Sequence, residues 1–266
     1  MSVLDEIIRD KRAEVARLKL QETIGQFKER IAGLPRCRNF YKAVTKQNKR
    51  GINVIAEVKK ASPSAGVIRA DFDPVEIAKT YQKCGADAIS VLTDEKYFQG
   101  RLEYLTAVKG AVELPILRKD FIIDPWQIYQ SRAVGADAIL LIADYLKLAE
   151  LSDFLILAAE LTLTVLLEVH SADVLLNVRS LAGFPKKGNC VLGINNRDLS
   201  TMEVDLNTTS RLISLLEEDA EVVAESGIKR KADVEKLKGV GVRAVLIGQT
   251  LCESGNIEGK FSELFG

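Results

Sequence analysis

Short apolar runs that end in charged or amide side chains recur along this chain. They close as Val54-Ile55-Ala56-Glu57-Val58-Lys59, Ile116-Leu117-Arg118-Lys119-Asp120, Val165-Leu166-Leu167-Glu168, Gly193-Ile194-Asn195-Asn196-Arg197 and Val222-Val223-Ala224-Glu225-Ser226-Gly227, with quieter copies ending at Asp94 and Gln249. A strand buried on both faces reads as an unbroken hydrophobic run, so ionisable groups gathered at its carboxyl end point to a site built there. Strands are predicted near 53–59, 88–93, 115–119, 138–142, 164–169, 191–195, 221–226 and 243–248. Helix-period patterns fill the gaps near 74–84, 101–111, 125–134, 146–160, 171–180, 208–216, 230–238 and 256–265.

A short repeat marks the joints of this alternation. Gly85-Ala86-Asp87-Ala88-Ile89 returns as Gly135-Ala136-Asp137-Ala138-Ile139, with a weaker echo at Gly241-Val242-Arg243-Ala244-Val245. Each copy reads as a helix stopped by a left-handed glycine and followed at once by a buried strand. About eight βα units of roughly 20 to 35 residues each match a closed (β/α)₈ TIM barrel of the α/β class better than an open doubly wound sheet. Residues 1–266 read as a single TIM-barrel domain. Residues 1–50 precede the first strand and carry helix-spaced Leu4, Ile7, Ile8, Val15 and Leu18, which predicts an N-terminal helical extension packed on the barrel.

Composition narrows the partners. Thirty-seven basic residues balance thirty-seven acidic ones, leaving no field for a nucleic-acid backbone, and no nucleic-acid partner is expected. The apolar stretch Phe154 to Val169 is broken by Glu160 and threonines and fits a helix followed by a strand, so no membrane partner is expected either. Cys37, Cys84, Cys190 and Cys252 lack the paired spacing of a zinc or redox site. The charged amino terminus has no signal-peptide core, and the expectation is a cytoplasmic chain with reduced thiols. A monomer is favoured over an oligomer.

The single histidine, His170, removes multi-histidine metal sites and histidine-based triads, so acid–base work falls to carboxylates and lysine. Lys119, at the end of the third strand, can face the barrel mouth and act as a general acid or as a Schiff-base nucleophile; the alternative is a solvated lysine. Glu57 and Lys59 share one side of the first strand, and Glu168 holds the matching place on the fifth. These four can divide proton transfer or form only a salt-bridge layer. Asn195 and Arg197 suit hydroxyl, carboxylate or phosphate groups. Glycines after strands seven and eight, at Ala224-Glu225-Ser226-Gly227 and Leu246-Ile247-Gly248-Gln249, fall where many barrels bind phosphate. The segment Lys60 to Gly66, rich in turn-formers, reads as a loop able to move as a lid.

Taken in order, these motifs resemble the indole-3-glycerol phosphate synthase family over nearly the whole chain. The resemblance is carried by Ile55-Ala56-Glu57-Val58-Lys59-Lys60-Ala61-Ser62-Pro63-Ser64, by Leu92-Thr93-Asp94-Glu95-Lys96-Tyr97-Phe98-Gln99-Gly100, by Leu117-Arg118-Lys119-Asp120-Phe121 and by Glu168-Val169-His170. It continues through Gly193-Ile194-Asn195-Asn196-Arg197-Asp198-Leu199 to Ala224-Glu225-Ser226-Gly227 and Leu246-Ile247-Gly248. It implies a carboxy-lyase of tryptophan biosynthesis that needs no metal and no organic cofactor. The substrate would be the anionic phosphate ester 1-(2-carboxyphenylamino)-1-deoxyribulose 5-phosphate, closed to an indole with loss of carbon dioxide and water.

The resemblance further implies Lys119 as general acid, with Glu168, Lys59 and Glu57 as acid–base partners. Ser62, Phe121, Asn195, Arg197, Glu225, Ser226, Gly227, Gly248 and Gln249 would bind substrate, the phosphate sitting on Ser226, Gly227 and Gly248, and Phe121 bordering the anthranilate ring. Two positions depart from the family pattern. Gln249 stands where some members have a small hydroxyl residue, and the joint Ser180 to Cys190 is longer than usual. A Schiff-base aldolase and a non-catalytic phosphate sensor are the competing readings. The aldolase would form a trappable adduct on Lys119, and the sensor would use these charges only as salt bridges.

Overall fold

A computed structural model describes residues 3–179, 181, 188–198, 201–217 and 220–266. Eight parallel strands form a closed barrel: β1 (Asn53–Val58), β2 (Ala88–Leu92), β3 (Ile116–Lys119), β4 (Ala138–Ile142), β5 (Thr164–Val169), β6 (Cys190–Asn195), β7 (Val222–Glu225) and β8 (Ala244–Ile247). Each pairs with its sequence neighbours, and β1 closes the ring against β8 through Asn53↔Ala244 to Ala56↔Ile247. A helix follows each strand on the outside, so every crossover has the length a parallel pair requires. This is the (β/α)₈ barrel that the alternating pattern predicts.

The repeated glycines take φ of +88°, +95° and +88° at Gly85, Gly135 and Gly241, ending helices in the left-handed region where a side chain would be strained. The aspartates of the two full repeats do further work at the base of the barrel. Asp87 accepts from the Val54 amide at 2.9 Å, and Asp137 from the Ile116 amide at 2.9 Å, each tying a helix–strand joint to the start of the neighbouring strand.

Boundaries agree with the predicted elements to within a few residues, with two differences. The helix expected near 208–216 spans Asn207–Ile213, and beyond it the Ser214 hydroxyl donates to the Arg211 carbonyl, a local bond that competes with helix continuation. The segment read as a loop after β1 contains a small antiparallel hairpin, Ala61–Ser62 with Gly66–Val67. The long joint before β6 lies largely outside the described residues.

The N-terminal segment forms helices Val3–Lys19, Ile24–Ala32 and Phe40–Thr45, which meet both ends of the barrel. At the base, Phe40 and Val44 join the barrel's interior apolar cluster, and Asn53 at the start of β1 donates to the Val44 carbonyl at 2.9 Å. At the mouth, Ile7 and Ile8 pack into the same cluster near Phe121, while Lys11 reaches the loops after β2 and β3. Among the described residues no helix is long and apolar enough to cross a membrane.

Candidate active site

Strand parity assembles the site. Ile55, Leu117, Leu166, Val191 and Val223 belong to the interior cluster, and side chains two residues further along a strand point the same way. Those next inward positions are Glu57, Lys119, Glu168, Gly193 and Glu225, followed on β6 by Asn195. The layer just below is apolar, so the barrel changes from oil to charge within one step of the pleat. Two glycines make room for this: a Cβ on Gly193 would come within 2.5 Å of Glu225 Oε1, and one on Gly248 would collide with the Glu57 carboxylate.

Lys119 is the hub. Its Nζ lies 3.1 Å from Glu168 Oε2 and 3.4 Å from Glu225 Oε2. Burial alone would favour the neutral amine, but the surrounding carboxylates, the Glu168 charge foremost, outweigh it and hold the ammonium well above the ordinary lysine range. Burial likewise opposes the Glu168 charge, yet Lys119, His170 and the Asn195 amide, which donates to Oε1 at 3.2 Å, keep this carboxyl well below the usual range. Glu225 takes the opposite course. It is 1% exposed, its Oε2 lies 3.4 Å from the Lys119 ammonium, and burial with the neighbouring Glu168 charge pushes it up to about 8. One ammonium thus faces one firmly ionised carboxylate and one that carries a proton near neutrality. Lys59 pairs with Glu57 at 3.2 Å, and its Nζ sits 5.4 Å above the Phe98 ring.

The other predicted residues line the same cavity of about 1150 Å³ at the carboxyl ends of the strands. Phe121 and Phe98 form an aromatic wall, ring centres 6.2 Å apart. Ser226 and Gly227 have φ of +65° and +81°. For serine that backbone is costly, on the order of 1–3 kcal/mol. Asn196 holds it in place by donating to the Glu225 and Ser226 carbonyls at 3.0 and 3.2 Å. Ser62 accepts from the Ala65 amide within the hairpin at 3.2 Å, so it shapes that segment as well as lining the cavity. Arg197 is half-buried and donates to the Met202 carbonyl at 3.0 Å. Gln249 borders the cavity, but its amide donates to Glu253.

Sequence reasoning grouped Glu225 with the phosphate contacts, and the geometry sets it in the charge ring against Lys119. Three residues without a prior assignment also bear on the site: Asn196 under the Ser226 turn, Asp144 behind His170, and Lys11 against Asp120. Lys11 carried a readable signal, because it occupies the apolar face marked by Ile7, Ile8 and Val15.

Comparison with known proteins identifies the family. A family model described as indole-3-glycerol phosphate synthase matches residues 4–264. Proteins named indole-3-glycerol phosphate synthase from Acetivibrio thermocellus and Neisseria meningitidis are each 46% identical, over 263 and 264 residues, covering 98% and 99% of this chain and the same shares of their own. Among solved structures, 3-hexulose-6-phosphate synthase from Salmonella typhimurium superposes with a TM-score of 0.61 at 12% identity, over 80% of this chain and 96% of its own, a likeness of fold alone. The match along the whole chain and the identity to relatives of equal length lead to one assignment: the chain belongs to the indole-3-glycerol phosphate synthase family.

Proposed function

We propose that this chain closes the indole ring of 1-(2-carboxyphenylamino)-1-deoxyribulose 5-phosphate, releasing carbon dioxide and water, to give the indole-3-glycerol phosphate that its relatives' name prints. The observation that carries the residue assignment is the Lys119 ammonium among buried carboxylates at the strand ends. An ammonium held in that state is suited to polarise and protonate the substrate ketone as the ring carbon attacks it. A Schiff-base nucleophile needs the free amine, which these carboxylates oppose. The same fact weighs against the aldolase reading. A purely structural salt-bridge layer would be sealed from solvent, whereas Lys119, Glu168 and Glu225 line an open cavity of about 1150 Å³.

In this reading the phosphate lies on the Ser226–Gly227 turn and beside Gly248, where backbone N–H groups can approach an anion, with Lys59 nearby. Phe121 and Phe98 flank the anthranilate ring. Asn195 and Arg197 address polar groups of the substrate, while Ser62 and Gln249 border it. After carbon–carbon bond formation the substrate carboxylate leaves as carbon dioxide and the aromatic ring is restored. Glu168 then takes and returns protons for the loss of water, and Glu57 with Lys59 orients that exchange. The test is indole fluorescence after mixing the protein with this substrate, beside Lys119→Ala. Product from the parent and a loss of turnover in the folded variant are expected; equal rates would remove Lys119 from the chemistry.

A further inference from the structure

His170 follows β5 directly, two residues beyond Glu168, and it does not line the cavity. Its ring nevertheless joins two carboxylates. Nδ1 lies 2.9 Å from Asp144 Oδ2, on the loop after β4, and Nε2 lies 3.1 Å from Glu168 Oε1. Exposure falls along that line: the Asp144 side chain is 22% exposed, His170 8% and Glu168 1%. Among the described residues Nε2 has no hydrogen-bond partner of good angle, so the Glu168 oxygen is the acceptor a small ring rotation would engage.

Glu168 is therefore gripped from two directions. Oε2 faces Lys119, which the proposed chemistry discharges, while Oε1 faces Asn195 and His170, which it does not. Once Lys119 gives its proton to the substrate, Glu168 loses one of its two cations, each 3.1 Å away, and without the other, burial would drive it to take up a proton at the wrong moment. A second cation on the other oxygen prevents this, and Asp144 behind the ring keeps that cation charged.

Resting on the acid–base reading of Glu168, we propose that His170, locked by Asp144, is a positioning residue that keeps the Glu168 carboxylate ionised and aimed at Lys119 while the lysine discharges. The groups around the pair are Asp144 and Tyr145 from the loop after β4, Glu168 in front of the ring, and Lys119, Asn195, Glu225 and Glu57 beyond it.

The experiment is the pH dependence of kcat and KM for His170→Gln, Asp144→Asn and Glu168→Gln beside the parent, each checked for folding by circular dichroism. His170→Gln is expected to lower kcat roughly tenfold with little change in KM, and to move the acidic limb of kcat upward by about one pH unit. Asp144→Asn, which leaves the imidazole in place, moves the limb the same way by less and serves if the histidine variant does not fold. An acidic limb unmoved in a folded variant overturns the proposal. Parental turnover in Glu168→Gln would instead overturn the underlying role of Glu168, so the two failures are told apart.

Discussion

Lys119 and Asp120 are joined by one peptide bond and belong to two buried ion clusters of opposite character. Asp120 is saturated: Oδ1 meets Lys11 at 3.0 Å and the Phe121 amide at 2.8 Å, and Oδ2 accepts from Arg118 at 2.9 Å and Thr93 at 2.6 Å. Lys11, only 2% exposed, also reaches Asp94 at 2.8 Å and Glu14 at 2.9 Å. Arg118 continues outward to Gln130 and Ser131 on the helix Pro125–Ala133. Across the strand, the Lys119 cluster opens on the cavity, with Glu225 3.4 Å from the ammonium. Both clusters bear the cost of burying charge. The Lys11 cluster fixes the N-terminal helix and the loops after β2 and β3, while the Lys119 cluster opens toward a ligand.

Substitutions on either side of that peptide bond should separate stability from activity. Lys119→Ala is expected to lower turnover by on the order of 10²–10⁴, as for a lost general acid, with little change in the thermal midpoint because the cavity admits water to the remaining carboxylates. Lys11→Met should do the reverse. It leaves Asp94 and Asp120 without their shared ammonium, and urea unfolding should record a loss of about 3–5 kcal/mol. Turnover in the folded fraction should stay within about tenfold of the parent. A Lys11→Met protein as stable as the parent would erase the distinction.

How these clusters read in the sequence follows from the same geometry. The inward series ending at Glu57, Lys119 and Glu168 was legible because a charge at the end of an apolar run breaks a simple rule, and strand parity says which way it points. Glu225 obeys that parity, two residues after inward Val223, but the adjoining Ser226-Gly227 turn drew it into the phosphate site. Lys11 was hidden because a helical lysine is normally solvated; only its place on the face of Ile7, Ile8 and Val15 marks it as buried. Asp144 and His170 lie 26 residues apart and meet because they leave adjacent strands, β4 and β5, which no local pattern reveals.

The open face of the Lys119 cluster can be probed at Gly227. A Cβ there would come within 2.5 Å of Val204 Cγ1, at a φ of +81° that disfavours any side chain. Gly227→Val should displace the turn and raise KM about tenfold while slowing the bound step less. An unchanged KM would move the phosphate elsewhere.

The smallest effect distinguishes the clusters by pH alone. Burial lowers the His170 pKa, but its contacts with the Asp144 and Glu168 carboxylates prevail and raise it from the ordinary 6.5 to about 10. A group raised on folding contributes stability that is fully present below its unfolded pKa and lost as pH rises through the folded one. The parent should therefore lose stability between about pH 6.5 and 10 in a way that His170→Gln does not. Lys11 is held above the ordinary lysine range by Asp120, Asp94 and Glu14, so its cluster stays charged across that window. Asp120 and Glu168 are both depressed, so each contributes stability above its unfolded pKa that is lost only as pH falls into the acid range. Thermal midpoints at pH 6, 8 and 10 for the parent, His170→Gln and Lys11→Met should show the alkaline decline in the parent and in Lys11→Met, and a flatter course in His170→Gln. Parallel declines in all three would mean that the His170 bridge adds nothing to the folded state.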